Sequence, residues 1–127
     1  MKSLNISNSL MAANSYKLDT LQEIEERIFC IRGVQVIIDK DLAGFYGVET
    51  KRLNEQVKRN IERFPERFMF QLSDNETDKL VANCDRFKTL KHSSSNPYAF
   101  TEQGVSMLAS VLHSETAIQK SIKIIDI

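Results

Sequence analysis

Two β-branched runs, Ile28-Phe29-Cys30-Ile31 and Val34-Gln35-Val36-Ile37-Ile38, stand either side of the dipeptide Arg32-Gly33. Gly33 can take the positive φ that a tight turn demands, so the segment predicts a β-hairpin. A third apolar run, Phe68-Met69-Phe70-Gln71-Leu72, and a short one, Tyr98-Ala99-Phe100, supply candidate partner strands. The rest of the chain is patterned for helices. From Leu18 a short helix is expected with Leu21, Ile24 and Ile28 inward. Asp39 is expected to cap a helix over Lys40–Tyr46, with Leu42, Ala43 and Tyr46 apolar and Gly47 ending it. Thr50 is expected to cap a second, running to about Asn60, in which Leu53, Val57 and Ile61 recur every four residues before Pro65 forbids continuation. Ser73-Asp74-Asn75-Glu76 has the spacing of a capping box and should open a helix through about Phe87, with Leu80, Val81, Cys84 and Phe87 inward. Lys88 to Pro97 is polar and expected to be a loop. Thr101 should cap a helix carrying Val105, Leu108, Ala109 and Leu112, and Ser114 a last one with Ile118, Ile122 and Ile125 on one face. The expected fold class is α+β: a small antiparallel sheet packed with helices and containing a helix-turn-helix-like unit.

A chain of 127 residues with 42% apolar and 27% charged residues has the composition of one globular domain. Residues 1–17 are rich in Ser and Asn without a sustained period and are expected to be a mobile arm, with residues 18–127 forming the domain. The last helix runs to Ile127 with no cap or stop signal, so a C-terminal domain is expected to follow. No apolar stretch approaches the roughly 20 residues of a membrane span, and the first residues lack the pattern of a signal peptide. Neither of the two cysteines lies in a C-x-x-C, and both fall in apolar patterns, so they are expected to be small core residues in a reducing cytosol.

Catalytic patterns are missing. There is no G-x-G-x-x-G, no Walker-type loop, no H-E-x-x-H and no G-x-S-x-G. His92 beside Ser93-Ser94-Ser95 reads as a polar loop, and His113 as a helix-end cation. Asp39 and Asp41 are explained by a helix start. No catalytic residue, metal or cofactor is expected.

Charge is balanced overall, 17 Lys and Arg against 17 Asp and Glu, but unevenly spread. Lys51, Arg52, Lys58, Arg59, Arg63 and Arg67 outnumber Glu55, Glu62 and Glu66, and Arg86, Lys88 and Lys91 form a second cluster. Either set could be an ordinary solvated face; either could attract phosphate. The interval from Asp39 to Arg63 has helix-turn-helix spacing: Ala43 is small where a second helix must cross, Gly47 can turn, and Leu42, Val48 and Leu53 fill the wedge. It departs at Gln56, where an apolar residue is usual; Val57 takes that role one step on. At 100° per residue, the side opposite Leu53 and Val57 shows Lys51, Arg52, Glu55, Lys58 and Arg59, with Asn54 on the flank and Thr50 at the start. Arg and Lys pair with phosphate or guanine, and Asn with adenine. Glu55 is expected to take Lys51 or Arg59 as an i,i+4 partner.

These residues also carry a resemblance. Ile31-Arg32-Gly33 through Ile38-Asp39, Asp41-Leu42-Ala43, Tyr46 to Thr50, Leu53-Asn54, Val57 to Asn60, Arg63-Phe64-Pro65, Phe68 to Leu72, and Pro97-Tyr98-Ala99-Phe100-Thr101-Glu102-Gln103-Gly104-Val105 resemble the ORF-six-N domain, a bacterial and phage family related to KilA-N domains. The likeness runs over about residues 21–127. It implies a DNA-binding module of phage, prophage and mobile-element proteins with antirepressor-like regulation. The expected partner is double-stranded DNA, met by Thr50, Lys51, Arg52, Asn54, Lys58, Arg59 and Arg63, with Lys88 and Lys91 clamping a neighbouring phosphate. A homodimer through the last helix is expected beside it. The alternative is a protein-interaction module built on the same isoleucine-rich helix without DNA contact.

Overall fold

The computed structural model describes residues 22–112 and 122–126. The proposed arm at 1–17, and Ser114 and Ile118 of the last helix, lie outside them. The hairpin forms where the sequence places it: β1 (Phe29–Ile31) and β2 (Val34–Ile38) are antiparallel and joined by Arg32 and Gly33, both at positive φ (56° and 76°). That pair of left-handed residues is the turn whose twist matches a two-residue hairpin.

β3 (Met69–Gln71) and β4 (Tyr98–Phe100) complete a four-stranded antiparallel sheet of order β1-β2-β4-β3. The last strand in sequence is therefore internal. Phe100 faces Ile37 on one side and Met69 on the other, and Ala99 faces Ile38 and Phe70. Because strand side chains alternate, these rows lie on opposite faces of the sheet. Ile37, Phe100 and Met69 join a core with Leu42, Ala43, Leu53, Val57, Val105, Leu108, Ile24 and Ile124. Ile38, Ala99 and Phe70 join a second core with Leu72, Leu80, Val81 and Phe87. The sheet carries a core on each face, and the first of these does not extend over Cys30 of the edge strand β1.

On the first face lie α1 (Asp39–Tyr46), α2 (Thr50–Arg59) and α4 (Glu102–Leu112). On the second lie α3 (Asp74–Asn83) and the 3₁₀ segment Asp85–His92. The Ser73 capping box is present in both directions: Ser73 Oγ accepts from the Glu76 amide at 3.1 Å and Glu76 Oε1 from the Ser73 amide at 2.8 Å. α3 nevertheless stops at Asn83, short of Phe87, and the first half of the expected loop, Lys88 to His92, is 3₁₀ helix. Phe87 reaches full burial from that tighter segment.

Two further expectations change. The caps of α1 and α2 fall one residue earlier, at Ile38 and Glu49, so Asp39 and Thr50 are the first helical residues and neither helix has a side-chain cap. Cys30 is exposed and Cys84 half-buried. The neighbours of Cys30, Phe29 and Ile31, pack into the second core, so alternation turns its thiol to the uncovered side of an edge strand.

Candidate nucleic-acid interface

α1 and α2 meet through a turn whose geometry follows from Gly47. It sits at φ 72°, ψ 31°, and the amides of Gly47 and Val48 return to the carbonyls of Gly44 (3.3 Å) and Ala43 (3.0 Å). These paired bonds form a Schellman termination, which needs a left-handed residue in that place. Ala43 is buried where α2 crosses; Leu42, Leu53 and Val57 are buried, and Val48 packs at the edge. The small residue, the turn and the apolar wedge expected between the two helices are in place, and Val57 is buried one step after Gln56. Ile61 does not continue the seam. α2 ends at Arg59, and the 3₁₀ turn Ile61–Arg63 leaves Ile61 54% exposed.

The outward face of α2 holds Lys51, Arg52, Glu55, Lys58 and Arg59, all exposed. None of these side chains makes an ion pair or hydrogen bond among the described residues. The expected bond from Glu55 to Lys51 or Arg59 is therefore absent, so all four cations remain open to solvent. Arg63, on the 3₁₀ turn, is also exposed. Lys51, Arg52 and Arg59 border an open groove shared with Val111 and Leu112 of α4. Lys58 and Arg59 lie in the last turn, where the helix dipole favours cations.

Other candidates are placed differently. Thr50 is half-buried at the helix start. Asn54 is turned inward: its Nδ2 donates to Asp39 Oδ2 at 2.9 Å and its Oδ1 is buried, which withdraws the acceptor that a bidentate base contact needs. Lys88 and Lys91 are exposed, but on the 3₁₀ segment that packs in the layer on the other sheet face from α2. Lys88 also lies 3.2 Å from Asp85. Arg86, grouped with them by sequence, is committed elsewhere. Its Nε and Nη2 donate to the two oxygens of the buried Asp41, each at 3.0 Å, and its guanidinium lies 4.5 Å from the Phe87 ring centre.

Asp39 does not cap α1. It is instead a carboxylate only 3% exposed, accepting from Asn54, from the Tyr98 amide (3.3 Å) and from the Lys40 amide (2.7 Å). Burial pushes its pKa up, and the Asn54 hydrogen bond is the strongest influence opposing that rise. Two of these three partners, Asn54 and Tyr98, lie 15 and 59 residues away, so no local pattern could announce those contacts. Among the described residues no group of three or more His, Cys, Asp and Glu could hold a metal ion, and no helix is long and apolar enough to cross a membrane.

The ORF6N domain model matches residues 26–111, more than half of the chain. The chain belongs to the ORF6N domain family. No curated protein and no solved structure matches it. Within this ORF6N domain the matched span contains the hairpin, the α1–α2 unit, the capping box and the Tyr98–Val105 stretch. Ile24 and Ile124, which add to the first core, lie outside it.

Proposed function

We propose that this ORF6N domain binds double-stranded DNA, with or without strong sequence preference, by laying α2 against the major groove. As the resemblance implies, it would serve as an antirepressor-like regulatory module of a phage, prophage or mobile element, acting in the cytoplasm. The observation that carries this reading is the outward face of α2, where four exposed cations have no acidic partner among the described residues. Such a face displaces counterions condensed on phosphate, and the gain is largest where counterions are dilute. The half-buried Asn54 is left out of the base-reading set; Arg52 and Lys58 take that role, while Lys51, Arg59 and Arg63 hold the backbone. Lys88 and Lys91 contribute on this reading only where a duplex wraps towards the second layer.

With about five phosphates neutralised, log K should fall against log[salt] with a slope of roughly −4 to −5, read by fluorescence anisotropy on random duplex DNA. Replacing Lys58 or Arg59 by Ala should flatten that slope by about one unit with unchanged thermal stability. A wild-type slope near zero would overturn the proposal. The domain is proposed to act by binding alone, so metal-dependent cleavage of the duplex would contradict it too.

A second reading, assembly through the C-terminal helical turn, is favoured by Ile122, which is 47% exposed, whereas Ile124 is buried in this domain's own core. Ile122→Asp should then turn a dimer into a monomer in sedimentation while leaving the salt slope per protomer unchanged. If Ile122→Asp sediments as wild type does, that surface is not the contact.

A further inference from the structure

The apolar seam between α1 and α2 is formed by Leu42, Ala43, Leu53 and Val57. Contacts of this kind are not directional, and on a helix one residue corresponds to a 100° rotation. A small roll of α2 would keep much of that burial while carrying Lys58 or Arg52 out of the outward face. A hydrogen bond on the helix flank resists such a roll, because it weakens steeply as its angle closes.

Asn54 makes that bond, and its acceptor cannot spare it. Asp39 is buried and faces no cation among the described residues: its partners there are two backbone amides and Asn54 Nδ2, and the charged group acting on it is Asp41 of its own helix. Asp41 is itself bound to Arg86, with Arg27 3.9 Å away. A buried carboxylate without a counter-ion depends on each donor it has. The Asn54 carbonyl oxygen, Oδ1, is buried without a partner among the described residues, so the side chain is held there for its donor and at the expense of its acceptor. Through Asp39 the contact also reaches the Tyr98 amide of β4, tying α2 to an internal strand.

We infer that Asn54 is a positioning residue: its bond to Asp39 fixes the rotation of α2 about its own axis and so decides which cations face a duplex. The inference rests on the duplex-binding reading and adds what holds the binding helix in register.

The test measures Asn54→Leu, Asn54→Ser and Asp39→Asn beside wild type, with a fluorescein-labelled random duplex titrated across a salt series and folding followed by circular dichroism. Neither Asn54 variant removes a cation, yet both should flatten the salt slope by roughly one to two units while folded. Asp39→Asn should keep the wild-type slope, because its amide oxygen can take the place of Oδ2 and go on accepting from Asn54 Nδ2 and the Tyr98 amide. In the free protein, the Asp39 carboxyl signal should titrate higher in the Asn54 variants than in wild type, a shift that loss of packing alone would not give. Should the Leu variant fail to fold, the smaller Ser variant decides. A folded Asn54 variant with the wild-type slope overturns the inference. A zero slope in wild type itself would instead remove the duplex-binding reading, and this inference with it.

Discussion

Glu76 and Asp39 are carboxylates driven in opposite directions. Glu76 accepts from Arg32 Nε and Nη2, each at 2.9 Å, and from the Ser73 amide, so its pKa falls to about 2, chiefly through the Arg32 hydrogen bonds. A folded-state pKa below the unfolded value means stability that is present above about pH 4.5 and lost as pH falls towards 2. Glu76→Gln keeps the shape of the capping box but not the charge. The stability gap between wild type and this variant should be about 1 kcal/mol at neutral pH, modest because the pair is partly solvated. It should close on acidification, as followed by urea melts from pH 6 to pH 2. Asp39 has the reverse sign: its pKa is raised by burial, so its ionised form costs stability at neutral pH and acid relieves the cost.

At the scale of elements, the Thr101-Glu102-Gln103-Gly104 stretch shows why certain short sequences fix long-range packing. Thr101 Oγ1 donates to the Arg67 carbonyl at 2.8 Å and accepts from the Gly104 amide at 3.4 Å. A Cβ on Gly104 would overlap the Phe68 carbonyl oxygen. Gly104→Ala should therefore cost roughly 2–3 kcal/mol in chemical denaturation, as overpacking against backbone does. The elements most legible in the sequence were those whose determinants are local: the Arg32-Gly33 turn, the Ser73 box, the Gly47 stop and the four-residue spacing of Leu53 and Val57. The cationic face of α2 was legible for the same reason. Asn54's inward turn, the exposure of Cys30 and the 3₁₀ character of Asp85–His92 were not, because each depends on which layer covers which face. Ile61 followed the period of α2 but lies beyond its last turn, and periodicity cannot report where a helix stops.

Across the whole molecule, the two layers are joined at one edge by neighbouring residues of α1. Lys40 Nζ donates to the Arg86 carbonyl at 2.7 Å, and Asp41 takes the Arg86 guanidinium. Arg86→Ala would leave a carboxylate with 5% of its side chain exposed without its main counter-ion. Because Arg86 is itself about a third exposed, the loss should be nearer 2 kcal/mol than the 3–5 kcal/mol of a fully buried pair. Its melting temperature should drop while the salt slope of duplex binding stays at the wild-type value, which separates a cation that joins layers from those proposed to meet phosphate. The internal place of β4 has a further consequence, for the growing polypeptide. Until Tyr98–Phe100 leaves the ribosome, the hairpin and β3 have no strand between them and Asp39 lacks the Tyr98 amide. The segment translated early therefore acquires its working shape only when a much later one arrives, and a nascent chain stalled before Phe100 would carry α2 without the floor beneath it.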